Sequence, residues 1–320
     1  MTLPSTLIFD YPTARQLSSY FKEQADAANG TGATVQEELA PKAHVNLEAR
    51  VQAFGMAATL PLGIVTPMQL RHIAACNGDA ISEVPPARWS LEAAHTLGDV
   101  VGQRVRHGGF LRDAELFDNG RFNVSPAEAS AMDPQQRLLM EYGYEAFHSA
   151  GLDKSALNNT LTGIFVGIAA QDWSDVVKNS SMGRSVYAAT GASLSIAAGR
   201  ISFVLGLQGP CVSYDTACSA ALAANHAALR ALQLNECTSA LMIGVSTMLL
   251  PGVGITFATA GMTSATGHCH TFDKRADGYA RGEACTGVVL RVLKSDRDAA
   301  FSLLGSCVRQ DGKSASLTAP

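Results

Sequence analysis

Charge is scarce in this 320-residue chain. Asp, Glu, Lys and Arg supply 16 % of it, with a formal net charge of −4, against roughly a quarter in an average globular protein. No Lys/Arg cluster is present, which argues against a surface built to bind nucleic-acid phosphates. A chain with so little charge and 47 % hydrophobic residues is neither disordered nor a coiled coil. Long apolar runs are missing too: none reaches the roughly 18 residues of a membrane span. The first residues lack the basic-then-apolar order of a secretory signal. The seven cysteines, at 76, 211, 218, 237, 269, 285 and 307, include no Cys-x-x-Cys pair, so zinc-ribbon and thioredoxin-like spacings are excluded. Their odd number and low density read as reduced thiols of a cytosolic-type compartment. Glycine is plentiful, at 29 residues, yet it forms neither GxGxxG nor GxxxxGK, so no nucleotide cofactor is expected.

The chain changes character twice. Residues 1–24 end in a helical pattern with Leu17, Tyr20 and Phe21 on one face. Residues 25–44 are rich in Ala, Gly, Thr and Asn and read as a linker. A dense globular region starts at Val45 and continues to Pro320. Within it Asp133 and Pro134 start a helix carrying Leu138, Leu139 and Tyr142 at helical spacing. Short apolar strands are predicted over 162–167, 211–215, 240–245 and 287–293. Small-residue helices are predicted over 188–204 and 217–232. Strands alternating with helices specify an α/β fold around a largely buried sheet.

Cys218 is the residue best placed for chemistry. It follows a short strand and a tight turn, at the start of a helix of small residues. A helix N-terminus presents unpaired N–H groups and partial positive charge. Both favour the nucleophilic thiolate, and the same N–H groups suit an oxyanion. On physical grounds alone a buried structural cysteine is an equal alternative.

The segment around it, Asp215-Thr-Ala-Cys218-Ser-Ala-Ala-Leu222, resembles the active-site signature of β-ketoacyl synthases, in particular the ketosynthase domains of modular type I polyketide synthases. Five further segments follow the family's order. They are VPPARW from Val84 to Trp89, Gly108-Gly109-Phe110 with Phe117-Asp118, and AMDPQQRLL from Ala131 to Leu139. The others are Gly261-Met-Thr-Ser264 with TFDKRADGYARGE from Thr271 to Glu283, and Asp311-Gly-Lys-Ser314 with Leu317-Thr-Ala-Pro320. The opening LPSTLIFDYPTARQL resembles the C-terminal end of a polyketide acyl carrier protein, without its phosphopantetheine serine. The resemblance implies three segments: a carrier remnant over 1–24, a linker over 25–44 and a ketosynthase over 45–320.

It further implies a thiolase-like fold. Cys218 takes an acyl chain as a thioester and supports decarboxylative Claisen condensation. No cofactor binds directly, since the substrates ride on the phosphopantetheine of acyl carrier proteins. The implied partners are carrier proteins, other synthase domains and a second copy in a homodimer; no nucleic acid or membrane is implied. Cytosol is the default compartment, with a plastid left open. The family's two catalytic histidines belong to motifs beyond the LTAP segment, so the chain is expected to be truncated. On that reading it accepts an acyl group without condensing, and exposes apolar surface that lowers its solubility. The competing readings are a non-catalytic fragment and a Cys-dependent acyltransferase or thioesterase, which lacks an evident base.

Other conspicuous residues have plainer expectations. His226 is eight residues beyond Cys218, about 12 Å along a helix, and reads as a polar helix position. His268 and His270 flank Cys269 but lack the further ligands a metal needs. Asp133 and Arg137 are expected to cap and bond backbone, with Arg137 pairing Glu141 at i,i+4. Asp273, Asp277, Arg281 and Glu283 are expected to brace a loop under the site, and Cys211, Cys269 and Cys285 to pack. Ala284 and Thr286 stand where the family has glycine, so a changed local backbone is expected there.

Overall fold

Eight strands organise the described residues: β1 (Val51–Thr59), β2 (Ser82–Glu83), β3 (His107–Gly108), β4 (Thr162–Gly167), β5 (Cys211–Tyr214), β6 (Ser239–Ser246), β7 (Ala284–Val292) and β8 (Phe301–Leu303). They are seen in a computed structural model that describes residues 18–22, 49–90, 98–292, 301–310 and 312–313. Six form one mixed sheet in the order β5-β4-β6-β7-β1-β8, and β2 and β3 form a separate ribbon. The β5, β4 and β6 strands are parallel; β7 reverses against β6, and β1 runs antiparallel to both β7 and β8. Five helices matter for the site: α1 (Pro134–Ser149), α2 (Asp172–Lys178), α3 (Leu194–Leu205), α4 (Ala220–Gln233) and α5 (Gly252–Thr259).

Side-chain alternation sends the central strands to two cores. Ile164 and Val166 of β4 join Leu241 and Ile243 of β6 under α1 and α3, in a cluster that includes Leu139, Phe147 and Ile201. Phe165 and Ala240 face the opposite way, against Ala224, Ala228, Leu229 and Leu232 of α4. Helices thus cover both faces, and every residue of β4 is buried. Asp133 caps α1 by accepting the Gln135 N–H at 2.8 Å, with Pro134 in the first turn, where a missing N–H costs nothing. Arg137 reaches the Met132 carbonyl through Nε at 3.1 Å and the Glu115 carbonyl at 3.1 Å. Glu141 accepts the Asp118 N–H at 3.1 Å instead of pairing Arg137. The expected i,i+4 ion pair is replaced by backbone contacts, which each side chain meets first.

The predicted helix over 188–204 is broken. It divides into a turn at Ala188–Gly191 and α3. Gly191 is pressed onto the Ala131 carbonyl, so closely that a Cβ would sit 2.1 Å from it, and its own carbonyl accepts the Asp133 N–H at 2.9 Å. This tertiary contact overrides the local small-residue pattern. Ala284 and Thr286 lie in regular strand β7, paired with Ser246 and Gly244 of β6, so the changed backbone expected there does not occur. Cys285 is fully buried, whereas Cys211 and Cys269 are exposed and do not pack. Among the described residues no helix is long and apolar enough to cross a membrane.

The chain divides into two compact units, residues 1–43 and 44–320. In the first, residues 18–22 are helical and the Tyr20 and Phe21 rings meet edge to face at 5.7 Å. The rest of the carrier-like segment, the linker up to His44 and the LTAP segment lie outside the described residues.

Candidate active site

The site begins with two glycines. Gly167 ends β4 and is the register partner of Gly244 in β6. A Cβ on Gly167 would lie 2.4 Å from the Ala221 nitrogen and 2.6 Å from the Ala220 carbonyl carbon. A Cβ on Gly244 would lie 2.8 Å from the Ala221 Cβ. Side-chain-free positions on adjacent strands therefore make a hollow, and the first turn of α4 sits in it.

Cys218 stands immediately before that turn, in a short 3-10 segment spanning Ala217–Ser219. The chain enters it through Ala217, whose φ of 53° is left-handed and costly for a residue with a Cβ. Asp215 stabilises the turn by accepting the Ala217 N–H at 3.0 Å. The Ser219 hydroxyl turns back to the Thr216 carbonyl and hydroxyl, each at 2.9 Å, and no side chain caps the start of α4. Cys218 is exposed. An exposed thiol at an uncapped helix start has the access a nucleophile needs, beside N–H groups with no side-chain partner.

A second wall is formed by the loop between α5 and β7. Its Tyr279 pairs with the Thr263 backbone. Its phenol is pushed up, chiefly by burial, with Arg281 opposing and Cys218 adding to the rise. The loop is pinned from below. Glu283 is buried and accepts N–H bonds from Leu111 and Met248, each at 2.7 Å, while Arg88 pairs with it at 3.1 Å. Gly109 and the Arg281–Glu283 segment exchange backbone bonds of 2.9 and 2.8 Å. Asp277 accepts the Ala265 N–H at 3.0 Å, and Asp273 pairs locally with Arg275 at 2.8 Å. Glu283 and Asp277 thus brace the loop, and Arg281 lies over the Phe257 ring at 5.5 Å.

Two histidines are engaged elsewhere. His226 is 3.2 Å from the Ser306 hydroxyl, and His268 lies 2.8 Å from both the Asp79 carboxylate and the Thr266 carbonyl. Sequence reasoning missed Asp172 at the head of α2, which accepts the Leu249 and Leu250 N–H groups at 2.9 and 3.0 Å and holds the turn after β6. It also missed the glycine hollow, whose only trace in the sequence is a glycine at the same offset in two paired strands.

A family model described as the N-terminal domain of β-ketoacyl synthase matches residues 48–296. The chain belongs to the β-ketoacyl synthase family. Polyketide synthase GfsB of Streptomyces halstedii is 39 % identical over the whole chain, which covers 6 % of that protein. The pikromycin synthase component PikAII of Streptomyces venezuelae is 38 % identical over the whole chain, which covers 9 % of it. The ketosynthase from module 6 of the bacillaene synthase of Bacillus subtilis superposes with a TM-score of 0.74 at 34 % identity, over 85 % of this chain and 45 % of that one. The fold is accordingly thiolase-like, and the chain spans less than half of that solved ketosynthase.

Proposed function

We propose that this chain is the nucleophile-bearing part of a ketosynthase domain in a modular polyketide synthase, with Cys218 as the acyl acceptor. The observation that carries the reading is the strained, uncapped turn that presents an exposed Cys218 at the head of a helix seated on Gly167 and Gly244. The thiolate attacks the carbonyl carbon of an acyl thioester carried on phosphopantetheine, and the N–H groups at the helix start face the developing oxyanion. Collapse of the adduct breaks the carrier's C–S bond, so the acyl group moves to Cys218 and the carrier leaves as a thiol. In the condensation a malonyl-type thioester loses CO₂, and its carbanion forms a C–C bond to the acyl carbon, releasing Cys218. Residues 45–320 belong to this domain and residues 1–24 to the end of a preceding carrier. Carrier proteins, neighbouring synthase domains and a second copy of the chain are its partners.

The test is acyl transfer from an acyl-phosphopantetheine, followed by mass spectrometry of the peptides. The acyl mass is expected on the Cys218 peptide and on none of the other six cysteines, and Cys218→Ala removes it. Acylation that persists in Cys218→Ala, or parent protein that stays unmodified, would defeat the reading.

A further inference from the structure

Tyr279 lines a small, partly enclosed cavity whose wall also includes Trp89, Arg104, His107, Met248 and Thr263. The room inside it for the centre of a water-sized sphere is about 20 Å³, against the roughly 10–15 Å³ that one water needs. Three of its lining residues carry a buried polar atom without a protein partner: Trp89 Nε1, His107 Nδ1 and Thr263 Oγ1. Thr263 is 3 % exposed. Buried polar atoms without a bond are costly, and three of the residues around this one cavity carry such an atom.

We infer that this cavity is a binding site for a single water molecule that bridges Trp89, His107 and Thr263. The chemistry of the three atoms selects it. The indole N–H only donates, so the occupant must accept there. We assign the His107 ring proton to Nε2, which leaves Nδ1 an acceptor, and on that tautomer the occupant must also donate. The Thr263 hydroxyl does either. Water meets all three demands, and three bonds is the usual number for a buried water. A cation cannot accept the indole proton, and it would share the wall with the Arg104 and Arg281 guanidinium groups. Arg104 is itself occupied by the carbonyls of Thr263 and Asp277. An anion would need a proton on His107 Nδ1.

The water joins parts that are remote in sequence: the segment of Trp89, strand β3 through His107, and the loop strand through Thr263, whose backbone pairs with Tyr279. It is therefore part of the scaffold beneath the Tyr279 loop, and its presence does not depend on what Cys218 accepts.

Two measurements test it. Crystals of the protein grown without halide are expected to show one density peak at hydrogen-bond distance from all three atoms, with no anomalous signal after a bromide soak. A bromide peak at that position makes the site an anion site and overturns the proposal, as does direct pairing of the three atoms with one another. The isosteric change Thr263→Val gives an independent sign. With water bound it removes one of three bonds, and Tm falls by about 2 °C. If the hydroxyl had no partner, its deletion would relieve a desolvation cost, so an unchanged or raised Tm overturns the proposal.

Discussion

Gly167→Ala should disable the site without touching a reactive atom. The new methyl carbon would lie 2.4 Å from the Ala221 nitrogen and 2.6 Å from both the Ala220 carbonyl carbon and the Ala221 Cα. All three are backbone atoms, so no side chain can swing aside. Ordinary contact is about 3.5 Å, so the first turn of α4 must retreat by roughly 1 Å. Overpacking of this kind costs about 1–3 kcal/mol. The retreat carries Cys218 with it, because the thiol sits one residue before Ser219 and two before the start of α4. A displacement near 1 Å at a reacting group costs on the order of 10²-fold in rate. The assay is acyl transfer to Cys218 followed by mass spectrometry, with a thermal melt on the same samples. Gly199→Ala is the matched control. It lies inside α3, and nothing stands within 4 Å of the place its new methyl group would take, so about 0.5–1 kcal/mol of stabilisation and an unchanged rate are expected. Gly167→Ala protein that acylates at the parent rate and melts like the parent would refute the hollow as the feature that positions the thiol.

Burial pushes the Asp133 carboxyl up to about 6, while bonds from Gln135 and the charge of Arg137 oppose the rise. The folded state then holds the proton more tightly than the unfolded state. The stability from this group is fully present below about pH 4 and is lost as pH rises through 6, by roughly 3 kcal/mol. Asp133→Asn keeps an oxygen for the Gln135 N–H and removes the charge, so denaturant unfolding between pH 4 and 7 should show a flatter decline than the parent; equal slopes would contradict the assignment. Glu283→Ala leaves the Arg88 guanidinium and two N–H groups without their partner, and unfolding stability is expected to drop by about 3–5 kcal/mol. A drop below about 1 kcal/mol, the scale of an exposed pair, would mean the loop is braced elsewhere.

Much of this architecture was legible where a local pattern met no competitor. The strand over 162–167 was readable because it is short, apolar and buried on both faces. The start of α1 was readable because Asp133 and Pro134 are a local capping signal. The helix beginning near residue 217 was placed correctly, but its first three residues form a 3-10 turn, and the left-handed Ala217 has no compositional mark. The break at Gly191 was hidden because its cause is the Ala131 carbonyl, sixty residues earlier in sequence. Strand β1 escaped notice because its Ala and Gly residues have weak strand preference; pairing with β7 and β8 makes it a strand. Arg137 and Glu141 had the spacing of an ion pair and were claimed by nearer backbone groups.

The two walls of the site are held by different forces, and this explains which parts a sequence displays. The Cys218 wall is held by contact between backbones, made possible by missing side chains at Gly167 and Gly244. Such a device leaves only glycine and alanine behind, residues that look like filler. The Tyr279 wall is held by polar bonds, buried at Glu283 and part-buried at Asp277 and Arg88, and charged residues in an apolar chain are conspicuous. The bracing role of Glu283 was therefore readable in a chain with 16 % charge, whereas the hollow beneath α4 shows only once β4 and β6 lie side by side. The same asymmetry governs how each wall fails. A methyl group added at Gly167 moves the helix as a rigid body and shifts the thiol. A carboxylate removed at Glu283 frees a loop and leaves the thiol where β4 and β6 put it.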